Sequence, residues 1–222
     1  MNITAETKST PPIEAVVFDI GRVLIDFSFD RAFHAASKFA ALSPQEIRDR
    51  LFGQGDFAGM DRERDVVEFE CGRITAQEFH ARVERQLNCT FPYAEFVRAW
   101  NCIFTGEVDS TLAHLQQLHD VGKVKVGILS NTNQLHMDYL RERMPVFGKL
   151  AHVYASHEIG HRKPDASSYQ HVLKAMKVPA HRTVFVDDLP DNIEAARKLG
   201  MHTIHVTNHD IVGPALAKLG LI

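Results

Sequence analysis

Five short apolar, β-branched runs, at residues 14–18, 124–129, 151–156, 183–186 and 203–206, constrain this chain more than any other feature of it. Runs of this length and composition read as buried strands, and helical patterns separate the last four. Strands alternating with helices argue for α/β architecture with a parallel, doubly wound sheet. The first interval breaks that rhythm. About 100 residues lie between the first run and the second, where a crossover needs only about a dozen. Something is inserted there, and its patterning is helical. Ser43-Pro44-Gln45-Glu46 places Ser at the N-cap, Pro at the first helical position and Glu three residues on, which is a capping box. Thr75-Ala76-Gln77-Glu78 repeats the device ahead of Phe79, Val83 and Leu87, and 93–102 is a third apolar-periodic run. The expected organisation is a loose tail over 1–12, a core built from 13–27 and 105–222, and an inserted all-helical cap over 28–104.

Composition removes several classes of function. A formal net charge of −3 leaves no basic footprint for nucleic acid. No apolar run approaches the roughly 20 residues that span a bilayer, and the polar residues 1–12 lack the apolar stretch of a secretory signal. The three cysteines, Cys71, Cys89 and Cys102, form no CxxC pair. They read as reduced, separately buried thiols in a cytoplasmic protein, where the sequon at Asn88 has no consequence.

In an open parallel sheet, chemistry sits beyond the carboxyl ends of the strands. Asp19 follows the first run, Ser130 and Asn131 the second, Lys163 the third, and Asp187 with Asp188 the fourth. A carboxylate, a hydroxyl, a cation and a carboxylate pair on one edge suit phosphoryl transfer, with Asp19 as the nucleophile. Attack by an anion on an anion needs charge relief, since two unit charges ~4 Å apart repel by about 4 kcal/mol at an effective dielectric of 20. A Mg²⁺ ion held by Asp19 and Asp188 offsets that repulsion, Lys163 adds to it, and Ser130 with nearby backbone N–H groups holds the phosphoryl oxygens. Asp187 reads equally as a helix cap, which leaves Asp188 as the better metal ligand and Asp187 as a secondary candidate. Asp191 reads as a cap or a ligand, Asp26 as structural, and Arg162 as solvated.

The order Asp19, Ser130, Lys163, Asp187-Asp188 resembles the four motifs of the haloacid dehalogenase-like superfamily, over nearly the whole chain. That resemblance implies a Rossmann-like core, and the position of the insert fits the family's first class of cap, with Gly72-Arg73-Ile74-Thr75 and Phe79 resembling a segment common there. Within the family, Ser130-Asn131-Thr132-Asn133, Arg162-Lys163-Pro164 and Asp187-Asp188 through Asp191-Asn192-Ile193-Glu194 are similar to the bacterial α-D-glucose-1-phosphate phosphatases. The resemblance implies a phospho-aspartate on Asp19, phosphate contacts from Ser130 and Asn131, and a phosphate-stabilising Lys163. It implies Mg²⁺ on Asp19, on Asp188 and on the backbone carbonyl of Gly21. The expected activity is hydrolysis of a small phosphate monoester, a sugar phosphate such as glucose-1-phosphate.

One departure stands out. The usual phosphatase pattern is Asp-x-Asp, whose second Asp is the general acid and base, and here that position is Gly21. General acid–base groups typically contribute ~10²–10⁴-fold. The alternatives are a good leaving group, an acid borrowed from the cap, such as His34 or Asp61, or a slow enzyme. Two rival readings share the scaffold. A metal-independent 2-haloacid dehalogenase also lacks the second Asp, but it has no use for Asp187-Asp188 beside Asp19, which repel one another without a cation. A non-catalytic binding module has no reason to keep Asp19, Ser130, Lys163 and Asp188 together. Two letter matches are set aside. His157-Glu158-Ile159-Gly160-His161 fits HExxH but contains Gly160 and runs into Arg162-Lys163-Pro164, whereas the zinc motif needs one continuous helix. Residues 53–59 imitate a dinucleotide fingerprint with the spacing one residue too long and no strand before it. In the cap, Trp100 reads as packing, Phe57 as a candidate substrate neighbour, and Arg62 and Arg64 as solvated charges.

Overall fold

A computed structural model describes residues 12–53 and 64–222. The stretch from Gln54 through Phe57, Asp61 and Arg62 lies outside the described residues, as does all of the polar tail except Pro12.

The sheet consists of β1 (Ala15–Phe18), β4 (Lys125–Ser130), β5 (Val153–Ala155), β6 (Thr183–Asp187) and β7 (His202–His205), in the order β5-β4-β1-β6-β7. All its pairings are parallel, and every strand falls within two residues of its run in the sequence. β1 shows why these runs fold this way. All four of its residues are fully buried. Val16 and Phe18 face one core with Ile128, Met137, Val184 and Leu216, while Ala15 and Val17 face another with Tyr169, Met176, Phe185 and Ile193. Alternate residues therefore meet apolar partners on both faces, the condition for a parallel strand. Helices α6 (Asp109–Val121), α7 (Gln134–Arg143) and α12 (Val212–Lys218) contribute to the first core; α10 (Ala166–Met176) and α11 (Pro190–Lys198) contribute to the second. Two four-residue helices, α8 (Val146–Lys149) and α9 (Ser156–Ile159), complete this layer.

The insert contains α1 (Phe29–Ala36), α2 (Pro44–Phe52), α3 (Arg64–Glu70), α4 (Ala76–Leu87) and α5 (Tyr93–Asn101). Both capping boxes form: Ser43 with Glu46, and Thr75 with Glu78. These helices close on a core of their own, in which Phe33, Ile47, Phe69, Phe79, Phe91, Phe96 and Trp100 are buried. Trp100 is thus a packing residue, 4% exposed. Two short strands that the sequence pattern did not announce join the insert to the sheet. β2 (Ile25–Phe27) and β3 (Phe104–Glu107) pair antiparallel as the chain leaves for the helices and returns.

Further contacts tie the helices to the sheet layer. Arg162, expected to be solvated, is largely buried and pairs with Glu70 of α3 at 3.0 Å. Gly72 has φ +65 and lies so close to the strand layer that an added Cβ would sit 2.2 Å from the His157 carbonyl oxygen. The Gly is required twice over, by its left-handed backbone and by that approach. His136 of α7 stacks on Trp100 with ring centroids 5.4 Å apart and donates from Nε2 to the Trp100 carbonyl at 3.0 Å. All three cysteines are free, but only Cys71 is buried; Cys89 and Cys102 are half-buried, which corrects the expectation for those two. Among the described residues no helix is long and apolar enough to cross a membrane.

Candidate active site

β1 lies at the centre of the sheet with β4 on one side and β6 on the other. The connections reverse direction there, so a crevice opens beyond the carboxyl ends of these strands. Asp19 follows β1 directly, and its N–H donates to the Val186 carbonyl at 2.8 Å. Ser130 ends β4 and Asp187 ends β6. Lys163 arrives from the loop after α9, and its Nζ lies 2.8 Å from Asp19 Oδ1 and 2.7 Å from Asp187 Oδ2, with 1% of the side chain exposed. Asp19 Oδ1 also accepts from the Ile20 N–H at 2.7 Å, which leaves Oδ2 as the uncommitted oxygen. Ser130 is 4% exposed, and its hydroxyl bonds to no other described residue.

The local charge does not balance. Asp19, Asp187 and Asp188 each present an oxygen within 4.8 Å of the others, and Lys163 is the one buried cation among them. At that separation a carboxylate pair repels by roughly 3–4 kcal/mol at an effective dielectric of 20. Burial pushes the Asp19 carboxyl up to about 7, against the pull of Lys163 and with a further push from Asp187 and Asp188. Burial also raises Asp188, and Asp187 adds to it. Lys163 is held above its usual range: the two carboxylates outweigh the burial that opposes them.

Asp187 has its bonds committed. Besides Lys163, it accepts from the Leu189 N–H at 2.8 Å and from Asn192 Nδ2 at 3.0 and 3.1 Å. Tyr169 in turn donates its hydroxyl to the Asn192 carbonyl at 3.0 Å. Asp187 therefore aims Lys163 and shapes the turn into α11. Asp188 is half-buried, and His205 holds its backbone carbonyl from Nε2 at 3.0 Å. Asp191 is exposed in the first turn of α11. The side chain of Asn131 clamps the Lys163 peptide with both ends, donating to its carbonyl at 2.7 Å and accepting from its N–H at 2.8 Å. That leaves its backbone as the part able to meet a phosphate. Ser156 Oγ holds Thr132 at both N–H and carbonyl, each at 2.9 Å. Asn133 caps α7 and accepts from Trp100 Nε1 at 3.4 Å, so the loop after β4 is held from the helical insert as well. The sequence carried a weak signal for Asn192, five residues beyond Asp187, but none for Ser156 or His136.

At Gly21 a Cβ would lie 2.7 Å from Phe27 Cε1 and 3.3 Å from Cδ1. The ring of Phe27, on β2, fills the space a side chain at 21 would need. Arg22 follows with φ 53, a left-handed conformation that costs a non-glycine residue roughly 1–2 kcal/mol. Of the alternative proton sources, exposed His34 has Nδ1 committed to the Asp30 carbonyl at 2.7 Å, and Asp61 lies outside the described residues. Asp26, read as structural, is half-exposed and lies 3.9 Å from His209. His157 and His161 do not share a helix: α9 stops at Gly160, φ +74, and His157 Nδ1 donates to the Thr132 carbonyl at 3.2 Å.

A family model described as a haloacid dehalogenase-like hydrolase matches residues 13–200. Among curated relatives, the chain is 29% identical to the D-ribitol-5-phosphate phosphatase of Bacteroides thetaiotaomicron, over 88% of this chain and 93% of that protein. It is 30% identical to phosphatase MT3486 of Mycobacterium tuberculosis, over 95% and 96% of the two chains. Among solved structures, a HAD family enzyme of Bacteroides thetaiotaomicron, in complex with magnesium and inorganic phosphate, aligns with a TM-score of 0.74 at 24% identity, covering 87% of this chain and 93% of that one. At that identity the likeness is one of fold.

Proposed function

The chain belongs to the haloacid dehalogenase-like hydrolases, and from that premise we propose that it is a magnesium-dependent phosphatase acting on a small phosphate monoester through a phospho-aspartate on Asp19. The observation that carries the reading is the convergence of Asp19, Ser130, Lys163 and the Asp187–Asp188 pair at one sheet edge with more negative charge than Lys163 neutralises. The family membership and the phosphatase relatives support it.

An uncompensated group of hard oxygen donors is what a hard divalent cation fits. Asp19, Asp188 and the Gly21 carbonyl are the groups that would hold Mg²⁺; Asp187, committed elsewhere, is not. When bound, the cation supplies the charge that keeps Asp19 ionised and relieves its repulsion from a phosphate dianion. The rest belongs to the chain. A carboxylate oxygen of Asp19 bonds to phosphorus as the bond to the leaving oxygen breaks, and that oxygen keeps the electron pair and is protonated from solvent. Water then attacks phosphorus and gives a proton to solvent, and the bond to Asp19 breaks, leaving inorganic phosphate and the carboxylate. Lys163, pinned between Asp19 and Asp187, faces the phosphoryl oxygens with a fixed positive charge, and the Ser130 hydroxyl with the backbone of Asn131 binds them.

With no acid at Gly21, leaving groups that are already acidic are favoured, which points to a sugar phosphate esterified at its anomeric carbon, such as glucose-1-phosphate. In this reading residues 13–27 and 105–222 form the catalytic core, residues 28–104 a cap that sets specificity, and the protein works on metabolites in the cytoplasm. The test is phosphate release from glucose-1-phosphate, glucose-6-phosphate and ribitol-5-phosphate, with Mg²⁺ and with EDTA. Metal-dependent release, fastest from glucose-1-phosphate, is expected. Release undiminished by EDTA would refute the metal role, and a preference for glucose-6-phosphate would refute the leaving-group argument.

A further inference from the structure

Arg22 combines four properties that packing alone does not explain. It takes a left-handed backbone, φ 53, where glycine would sit without strain. That backbone is pinned on both sides: its N–H donates to the Ile25 carbonyl at 2.7 Å, and its carbonyl accepts from His209 Nε2 at 3.0 Å. Its guanidinium lies over the Phe27 ring, 5.4 Å from the centroid, within cation–π range. It is exposed and makes no ion pair with another described residue, although its charge acts on nearby Asp188. A rarely tolerated conformation has been kept three residues from the nucleophile, and it carries a free cation to the ring that fills the place of the missing acid. Strain of this kind persists where a surrounding structure enforces it, and it gathers at functional sites.

We propose that Arg22 is a catalytic residue: its guanidinium holds the negative charge on the departing oxygen, in place of the proton that a side chain at position 21 would donate. The inference rests on the phosphatase reading and names the group that completes that site. A guanidinium stays protonated at any pH at which the protein is folded, so it acts by charge and hydrogen bonding and not by giving up a proton. In balanced form, the phosphorus–oxygen bond breaks as phosphorus bonds to Asp19, the electron pair stays on the leaving oxygen beside Arg22, and solvent protonates that oxygen afterwards. Phe27 serves as the platform that orients the cation. The contribution belongs to the class of a single preorganised donor at a developing oxyanion, whose removal costs about 10²–10³-fold.

The experiment compares wild type, Arg22→Gly and Arg22→Lys across aryl phosphates of graded phenol pKa in saturating Mg²⁺. Arg22→Gly removes the strain along with the charge, so it should melt no lower than wild type. Its kcat/KM should fall about 10²-fold on the least acidic phenols and about threefold or less on the most acidic, steepening the dependence on leaving-group pKa. Arg22→Lys should lie between, and added guanidinium ion should restore part of the loss in Arg22→Gly. An equal drop across the series, or none, overturns the role of Arg22 while leaving a working phosphatase. A wild-type protein that releases no phosphate from any ester overturns the phosphatase reading itself.

Discussion

The carboxyl edge of the sheet and the interior of the helical insert are both dry, yet they bury opposite things. The sheet edge buries Asp19, Asp187 and Lys163, all under 10% exposed. The insert buries rings: Phe79 stacks on Phe69 at 4.6 Å and meets Trp100 edge-on at 4.9 Å. Burying charges costs free energy that even good pairing seldom returns in full, whereas burying rings is the main source of stability. One region is held in a state it would not choose alone, and the other is stabilised by what it buries. Function and stability should therefore separate cleanly under mutation.

The largest effect is expected from Asp19→Asn. Shape and the contact with Lys163 survive, but the nucleophilic charge does not, so turnover should drop by at least ~10⁴-fold. Because the lost carboxylate is destabilised where it sits, the thermal midpoint at pH 8 should stay level or rise. A fall of several degrees would break the contrast, since the charged edge would then be contributing stability. Phe79→Ala is the reverse case. It should cost about 3–5 kcal/mol in denaturant unfolding, and the folded fraction should keep kcat within about tenfold of wild type. Loss of kcat at full folding would mean that the insert does chemistry as well as support.

A smaller effect tests the seam between the two regions. His136 has a folded pKa of about 4, lowered chiefly by burial, with Nδ1 facing the Asn133 amide as acceptor. As pH falls from 6.5 to 4 the unfolded chain takes up that proton and the folded chain does not. The stability tied to neutral His136 is thus whole above pH 6.5 and lost toward pH 4, about 3 kcal/mol in all. Asp19 runs the other way. Its folded pKa of about 7 lies above 3.8, so its part is present below pH 3.8 and lost as pH rises to 7. Unfolding free energies measured from pH 4 to 7 should rise with pH less steeply in His136→Gln, and more steeply in Asp19→Asn, than in wild type. Parallel curves in all three proteins would remove the opposition.

The smallest effect is a missing gain. Gly21→Asp supplies the letter of the usual motif, but the new side chain runs into Phe27. Turnover of glucose-6-phosphate should not improve. Added to Phe27→Ala, the same change should raise it about tenfold over the Phe27→Ala parent. Improvement by Gly21→Asp alone would show that the ring yields at no cost.

The layout of the core was legible because a parallel sheet gathers the residues at the carboxyl ends of its strands. Asp19, Ser130, Asp187 and Asp188 stand at or next to those ends, so the residues just after each apolar run mark out the candidate site. The insert was legible from the length of one gap and two capping boxes. What escaped depends on partners far away in the chain. Arg162 looks solvated until Glu70, 92 residues distant, meets it. Asn131 gives no sign in the sequence that its side-chain amide is committed at both ends to Lys163, 32 residues on, with its backbone left to face a phosphate. The β2–β3 ribbon pairs segments too short for a period, with no turn between them to signal a hairpin. That Gly21 lacks an acid can be read directly; that Phe27 fills the space cannot.

That ribbon has a mechanical consequence. Among the described residues the chain passes between sheet and helices twice, at adjacent points on paired strands, so the covalent linkage has a single short axis. Phe27 rides on one of its strands, with its ring against Gly21, two residues from Asp19. A rotation of the helical layer about that axis would bend the strand and shift the Phe27 ring with it. The linkage to the helices and the ring that excludes a side chain at position 21 are therefore parts of one ribbon.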